Sequence, residues 1–170
     1  MRKLQREKLD DVYRLFEDSF VPAELRPYQA FKELFEQGAF DLYGYEKDSQ
    51  LLGAMIVWEF ETFAYIENFA VNKQLRGQGT GSKMLENIEN MMDKTLVLEV
   101  EVPYDDISHR RIAFYQRNQF LYSDYGYIQP ALRENVPDVQ LQLMSYPQSM
   151  TAEEFEKMKK QIFNKVYQQK

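Results

Sequence analysis

The stretch VNKQLRGQGTGSKML, Val71 to Leu85, places Gly77, Gly79 and Gly81 at alternate positions. Three of the chain's seven glycines fall there, more than a tight turn needs. Such a turn suits anion binding. Without Cβ atoms the backbone can approach a phosphate, and the free N–H groups that open a helix present the positive end of its dipole. The dinucleotide fingerprint G-x-G-x-x-G would need a third glycine at position 82, which is Ser82. The phosphate loop G-x-x-x-x-G-K-[ST] also fails, because Lys83 follows Ser82 and precedes Met84. A third pattern, [RQ]-x-x-G-x-[GA], is met by the run from Arg76 through Gly77, Gln78, Gly79 and Thr80 to Gly81. Its chemistry is that of a pyrophosphate site.

Carboxylates give the second signal. A parallel strand covered on both faces reads as a continuous apolar run, yet TLVLEVEV places Glu99 and Glu101 on one side. Something polar must lie there, either solvent or a cleft. Other chemistries are excluded by composition. The chain has no cysteine and one histidine, His109, so it offers no disulfide, no thiolate nucleophile and no Cys/His zinc site. No metal is expected. A net charge of −6 argues against a nucleic-acid binder and suits a cationic small molecule. MRKLQREKLDD lacks the apolar core of a signal peptide, and LLGAMIVW is far shorter than a membrane span. These features predict a soluble, cytoplasmic protein without membrane partners.

The elements that position these residues follow from periodicity. MRKLQ reads as a short strand, and KLDDVYRLFEDSF and YQAFKELFEQG as amphipathic helices separated by the loop VPAELRP. DLYGYEK, QLLGAMIVWEFE and FAYIENFAV read as strands, followed by the glycine turn and a helix carrying Met84, Leu85 and Ile88. TLVLEVEV is a strand, SHRRIAFYQRNQ a helix, and FLYSDYGYI and VQLQLM strands. Thr151 and Glu154 then form a capping-box signature ahead of Phe155, Met158, Ile162 and Val166. The order predicts an α/β (α+β) fold in one domain, residues 1–146. Residues 147–170 form a C-terminal helix packed on that domain or on a partner subunit, as in a homodimer.

YIENFAVNKQLRGQGTGSKML and RRIAFYQRNQF together, in this order, resemble the two signatures of the GNAT N-acetyltransferase superfamily. The resemblance implies a mixed, mostly antiparallel sheet, split between two parallel central strands, FAYIENFAV and TLVLEVEV, with helices on both faces. It implies acetyl-CoA as co-substrate. The pantetheine arm would run along the backbone of Phe69, Ala70 and Val71, and the N–H of Phe69 would polarise the thioester carbonyl. Arg76, Gly77, Gln78, Gly79, Thr80 and Gly81 would hold the pyrophosphate. Ser108 stands where many members have an asparagine that touches the cofactor arm. Gln119 replaces the glycine before the last Phe of the second signature, and Asn118 is expected to adopt the left-handed conformation there.

By the same resemblance Tyr115 is the candidate acid that protonates the departing thiolate, and Glu67 the candidate base. Read from residues alone, Tyr115 is a core aromatic beside Ile112 and Glu67 a solvated strand carboxylate. Strand alternation predicts Tyr65, Glu67, Phe69 and Val71 on one side. With Glu67 across the gap, Glu99 and Glu101 would make an acidic cleft that attracts a cationic amine. The loops FVPAELRPY and YGYIQPALRENVPD are expected to set specificity, with Tyr125, Tyr127 and Gln129 lining the pocket. The expected activity is acetyl transfer from acetyl-CoA to a small, cationic primary amine by direct attack in a ternary complex. The alternatives are acetylation of a protein N-terminus or lysine, and a non-catalytic CoA-binding regulatory module.

Overall fold

The computed structural model describes residues 1–168. Strand β1 (Arg2–Lys3) leads into helices α1 (Leu9–Glu17) and α2 (Tyr28–Glu36). Strands β2 (Asp41–Lys47), β3 (Gln50–Glu59) and β4 (Phe63–Val71) precede helix α3 (Thr80–Met91). Then come β5 (Thr95–Glu101), α4 (Asp106–Arg117), β6 (Leu121–Ile128), β7 (Gln140–Tyr146) and α5 (Ala152–Lys165). The strands form one sheet in the order β1-β2-β3-β4-β5-β7-β6, antiparallel except for the β4–β5 pair. No helix among the described residues is long and apolar enough to cross a membrane.

Alternation along the strands gives the sheet two apolar faces. Leu42, Ile56, Trp58, Tyr65 and Val97 join a core beneath α1, α2 and α5. Met55, Val57, Ile66 and Leu98 join a second core beneath α3 and α4. Helix α1 contributes Leu9, Val12, Tyr13 and Phe16, and α2 contributes Phe31 and Leu34, the residues that recur at helical spacing. The C-terminal helix docks on its own chain: Phe155, Ile162 and Val166 are buried in the first core. Its start is fixed by the Thr151–Glu154 capping box. A second box, Asp105 with Ser108, opens α4 two residues ahead of the SHRR run.

Two features shape the centre of the sheet. The parallel ladder runs only from Phe63 opposite Thr95 to Ile66 opposite Leu98. Beyond that point β4 continues along β3, with Phe69 opposite Met55, while β5 continues along β7, with Glu99 opposite Leu143. The central strands therefore diverge and leave a gap. The second feature is a bulge in β4, where Met55 faces Phe69 but Val57 faces Ile66. Glu67 and Asn68 thus share the single partner position of Ile56, and the alternation reverses across them. Tyr65 lies on the α1/α2/α5 face, whereas Phe69 and Val71 pack toward α3 and α4. The single side predicted for Tyr65, Glu67, Phe69 and Val71 is thereby corrected.

Candidate active site

The glycine turn closes one end of the gap. Gly77 and Gly79 have φ of +77° and +79°, a left-handed backbone that a side chain strains, and both face open space. Gly81 has ordinary φ but is needed for another reason: a Cβ there would come 3.0 Å from Phe114 Cζ. Thr80 starts α3, and no side chain caps the helix N-terminus. Its first N–H groups therefore remain available to an anion. Arg76 folds back so that its Nε lies 3.4 Å from the Val71 carbonyl, and Gln78 Nε2 donates to the Gln74 carbonyl at 3.3 Å. The turn thus leaves an open backbone cradle beside the uncapped start of α3.

The β4 edge beyond the bulge faces the gap. The Asn72 N–H donates to Leu52 at 2.8 Å, so residues 72 and 70 occupy the hydrogen-bonded positions of the β3 ladder. Phe69 and Val71, flanking Ala70, then direct their N–H and C=O groups toward β5. That edge can pair with an extended amide-bearing arm.

On the α1/α2/α5 side the diverging strands border a half-open cavity of about 50 Å³, lined by Glu24, Glu67, Asn68, Glu99, Glu101, Arg111, Gln129 and Tyr167 among others. That is room for about four water molecules. Its carboxylates have different surroundings. Glu67 is buried and engaged on both oxygens, by an ion pair with Arg26 and by Trp58 Nε1 at 2.7 Å. It is not the solvated strand carboxylate of the residue-level reading. Glu99 is partly buried and accepts hydrogen bonds from the hydroxyls of Tyr65, Tyr127 and Tyr167, the last at 2.8 and 3.0 Å. Burial pushes its pKa up to about 7, against the three tyrosine donors that pull it down, and the charge of Glu67 adds to the rise. Burial and the Glu99 charge raise all three tyrosines well above the ordinary phenol. Glu24 is also raised, mainly by burial, with Arg111 opposing. Arg111 bridges Glu24 and Glu101 at 3.5 and 3.3 Å.

Tyr115 lies one helical turn after Arg111 on α4, buried against Phe114 and Phe120. Burial pushes its hydroxyl up to about 12, with Arg111 lowering it and Glu24 raising it. It stays protonated at any ordinary pH.

Three predicted placements differ. The Ser108 hydroxyl is consumed by its capping box: it donates to Asp105 and accepts from the N–H groups of Tyr104 and Asp105 at 3.1 Å. It is a helix cap, with no hydroxyl function left for a cofactor arm. Tyr125 is not in the cleft. Residues 123–125 bulge out of the β6–β7 ladder, and the Tyr125 ring packs on Phe155 at 5.3 Å. The left-handed residue after α4 is Gln119 itself, with φ +66°, whereas Asn118 has φ −96°. Tyr127 and Gln129 do reach the site, Tyr127 through Glu99 and Gln129 through a 2.9 Å bond to the Ala23 carbonyl.

Sequence reasoning named the FVPAELRPY loop but not its Glu24 and Arg26. It also passed over Asn68, Arg111 and Tyr167. Arg111 was within reach, since it precedes Tyr115 by four on one helix face. Asn68 was hidden by the bulge.

The sheet thus opens between its parallel strands, with a glycine turn at one end of the gap and an acidic cavity at the other. The acetyltransferase (GNAT) family model matches residues 9–120, about two thirds of the chain, and the chain belongs to that family. It is similar to YjbC of Bacillus subtilis (strain 168), named as a candidate acetyltransferase, at 29% identity over 87% of this chain and 77% of that one. A candidate GNAT-family acetyltransferase from Bacteroides thetaiotaomicron superposes with a TM-score of 0.91 at 28% identity, covering 99% of this chain and 98% of that one. A Bacillus subtilis acetyltransferase solved in complex with CoA shares the fold at a TM-score of 0.59 and 14% identity, over 87% and 97% of the two chains. The chain is an acetyltransferase by family.

Proposed function

We propose that this acetyltransferase moves the acetyl group of acetyl-CoA to the primary amine of a small, cationic acceptor, by direct attack in a ternary complex. The observation that carries the reading is the charge of the cavity. Glu24, Glu67, Glu99 and Glu101 face it or border it, while Arg111 and the Arg26 paired with Glu67 are the cations beside them. The excess of carboxylates favours a positively charged ligand. The free edge of Phe69 and Val71 would hold the pantetheine arm, and Arg76 to Gly81 the pyrophosphate.

Two proton movements are required. An ammonium must lose a proton before its nitrogen can attack the acetyl carbon, and the thiolate released as the C–S bond breaks must gain one. Glu67 is the base expected from resemblance, but its two oxygens are committed to Arg26 and Trp58. Both oxygens of Glu99 are engaged as well, but by the hydroxyls of Tyr65, Tyr127 and Tyr167 rather than by a fixed cation. With a pKa of about 7 it is the better matched carboxylate. Tyr115 supplies the proton to the thiolate. Its high pKa keeps the phenol protonated at any ordinary pH, so a donor is in place as negative charge develops on the departing sulfur.

The test is thermal unfolding with acetyl-CoA, CoA and ATP, followed by thiol release with a panel of amines and peptides. Saturation at ~100 times Kd contributes ~2.7 kcal/mol, or ~5–10 °C in a domain of this size. Stabilisation by both CoA forms but not ATP, with thiol release dependent on small amines, is the expected result. Release only with peptides would give a protein acetyltransferase. Stabilisation without any release would give a CoA-binding regulator.

A further inference from the structure

Two buried side-chain atoms in the described structure lack a hydrogen-bond partner, Arg26 Nε and Asn68 Oδ1. Only Asn68 lines the cavity. We propose that Asn68 is the binding residue for the acceptor's nitrogen, its Oδ1 accepting an N–H of the ammonium or amine. The inference rests on the acyl-transfer reading and adds to it the group that seats the acceptor.

Four observations converge. Asn68 is 3% exposed, so its free oxygen is not satisfied by bulk water, and leaving a buried acceptor unmade is costly. Its orientation is fixed: Nδ2 donates to the Glu24 carbonyl at 3.3 Å. A carbonyl only accepts, so the amide cannot be turned with its oxygen there. The open function is therefore an acceptor that requires a donor from the ligand. Third, the neighbours select the donor's charge. Glu24, Glu99 and Glu101 line the same cavity, and Arg111 bridges two of them. A protonated amine suits that setting better than a hydroxyl. Fourth, the position is productive. Asn68 immediately precedes Phe69, whose N–H faces the gap where the thioester would lie. A nitrogen held at Asn68 would lie beside the strand position whose N–H would polarise the thioester, an arrangement that favours direct attack.

The bulge makes this arrangement possible. In an unbroken strand Glu67 and Asn68 would point to opposite faces. Sharing one ladder position, both border the same cavity. The bulge thus sets a fixed carboxylate–Arg pair beside an uncommitted amide oxygen.

The experiment follows the side-chain amide resonances of Asn68 in the isotope-labelled full chain during titration with n-propylammonium chloride, against NaCl at equal ionic strength. Binding is also measured calorimetrically in wild type and Asn68→Leu. The expected result is a saturable shift of the Asn68 side chain and affinity weaker by about tenfold or more in the variant. The acetyl-CoA thermal shift reports that the variant is folded. The proposal is overturned if no saturable shift occurs, if the cleft responds while the Asn68 side chain does not, or if Asn68→Leu binds equally well. Should the variant fail to fold, the wild-type titration decides alone. Amine-dependent thiol release with an unchanged KM in Asn68→Leu would sink the role of Asn68 only. Absence of release with every amine would sink the reading beneath it.

Discussion

Replacing Glu99 by Gln should remove a specific pH dependence of stability. Burial holds the Glu99 carboxyl at about 7, against an ordinary value of 4.5. Below about 4.5 the group is neutral in both folded and unfolded chains. Between 4.5 and 7 the folded chain keeps a proton that the unfolded chain releases, so stability falls as pH rises through that window. The gap between 4.5 and about 7, at about 1.4 kcal/mol per pH unit, gives at most about 3 kcal/mol, reduced by the residual exposure of the site. The tyrosines around it do not titrate there, since all three are raised above the ordinary phenol. Urea unfolding at half-unit steps from pH 4.5 to 8 measures the effect as wild type minus Glu99→Gln, so other groups cancel. The difference should favour wild type increasingly toward acid, by ~2–3 kcal/mol over the range. Parallel curves would refute the assignment and with it the reason for choosing Glu99 as base. The same variant should lose turnover by ~10²–10⁴-fold and flatten the acidic limb of the pH–rate profile.

Tyr115→Phe should lower turnover by ~10²–10⁴-fold with little change in acetyl-CoA affinity; an unchanged rate in a steady-state thiol assay removes Tyr115 from the mechanism. Because Tyr115 is held at about 12, wild type should show no basic limb from this group below pH ~11, which a pH–rate series reads directly. Gly79→Ala forces a side chain into φ +79° and should cost ~1–2 kcal/mol. The acetyl-CoA thermal shift should shrink as well, and an undiminished shift would separate the turn from the ligand. Glu67→Gln strands the buried Arg26 charge, whose side chain is 6% exposed, and should destabilise by ~3–5 kcal/mol in urea. A loss below ~1 kcal/mol would show that the pair is as weak as a surface bridge.

What the sequence conveyed and what it concealed divide along a physical line. Helices and strands were legible because each buries one face, and Phe16, Phe31, Met84 and Ile162 fall where periodicity places them. The glycine turn was legible because positive φ is a local demand that few residues meet, as Gly77 and Gly79 do. The cleft was not, because it is made by a departure from local rules. One extra residue at Glu67–Asn68 inverts the facing of everything beyond it, and FAYIENFAV is equally good strand with or without that residue. The same holds for the partners of Glu67 and Glu99. Arg26 and Tyr167 lie 41 and 68 positions away from them, beyond any window in which spacing carries information. Yet these distant contacts decide the chemistry. They commit Glu67 to an ion pair, set Glu99 among phenols near neutrality, and leave Asn68 as the one cavity-lining residue with a buried side-chain atom lacking a partner among the described residues. Motifs locate the donor end of such an enzyme, where the ligand is common to the family. The acceptor end depends on tertiary pairs that must be read from coordinates.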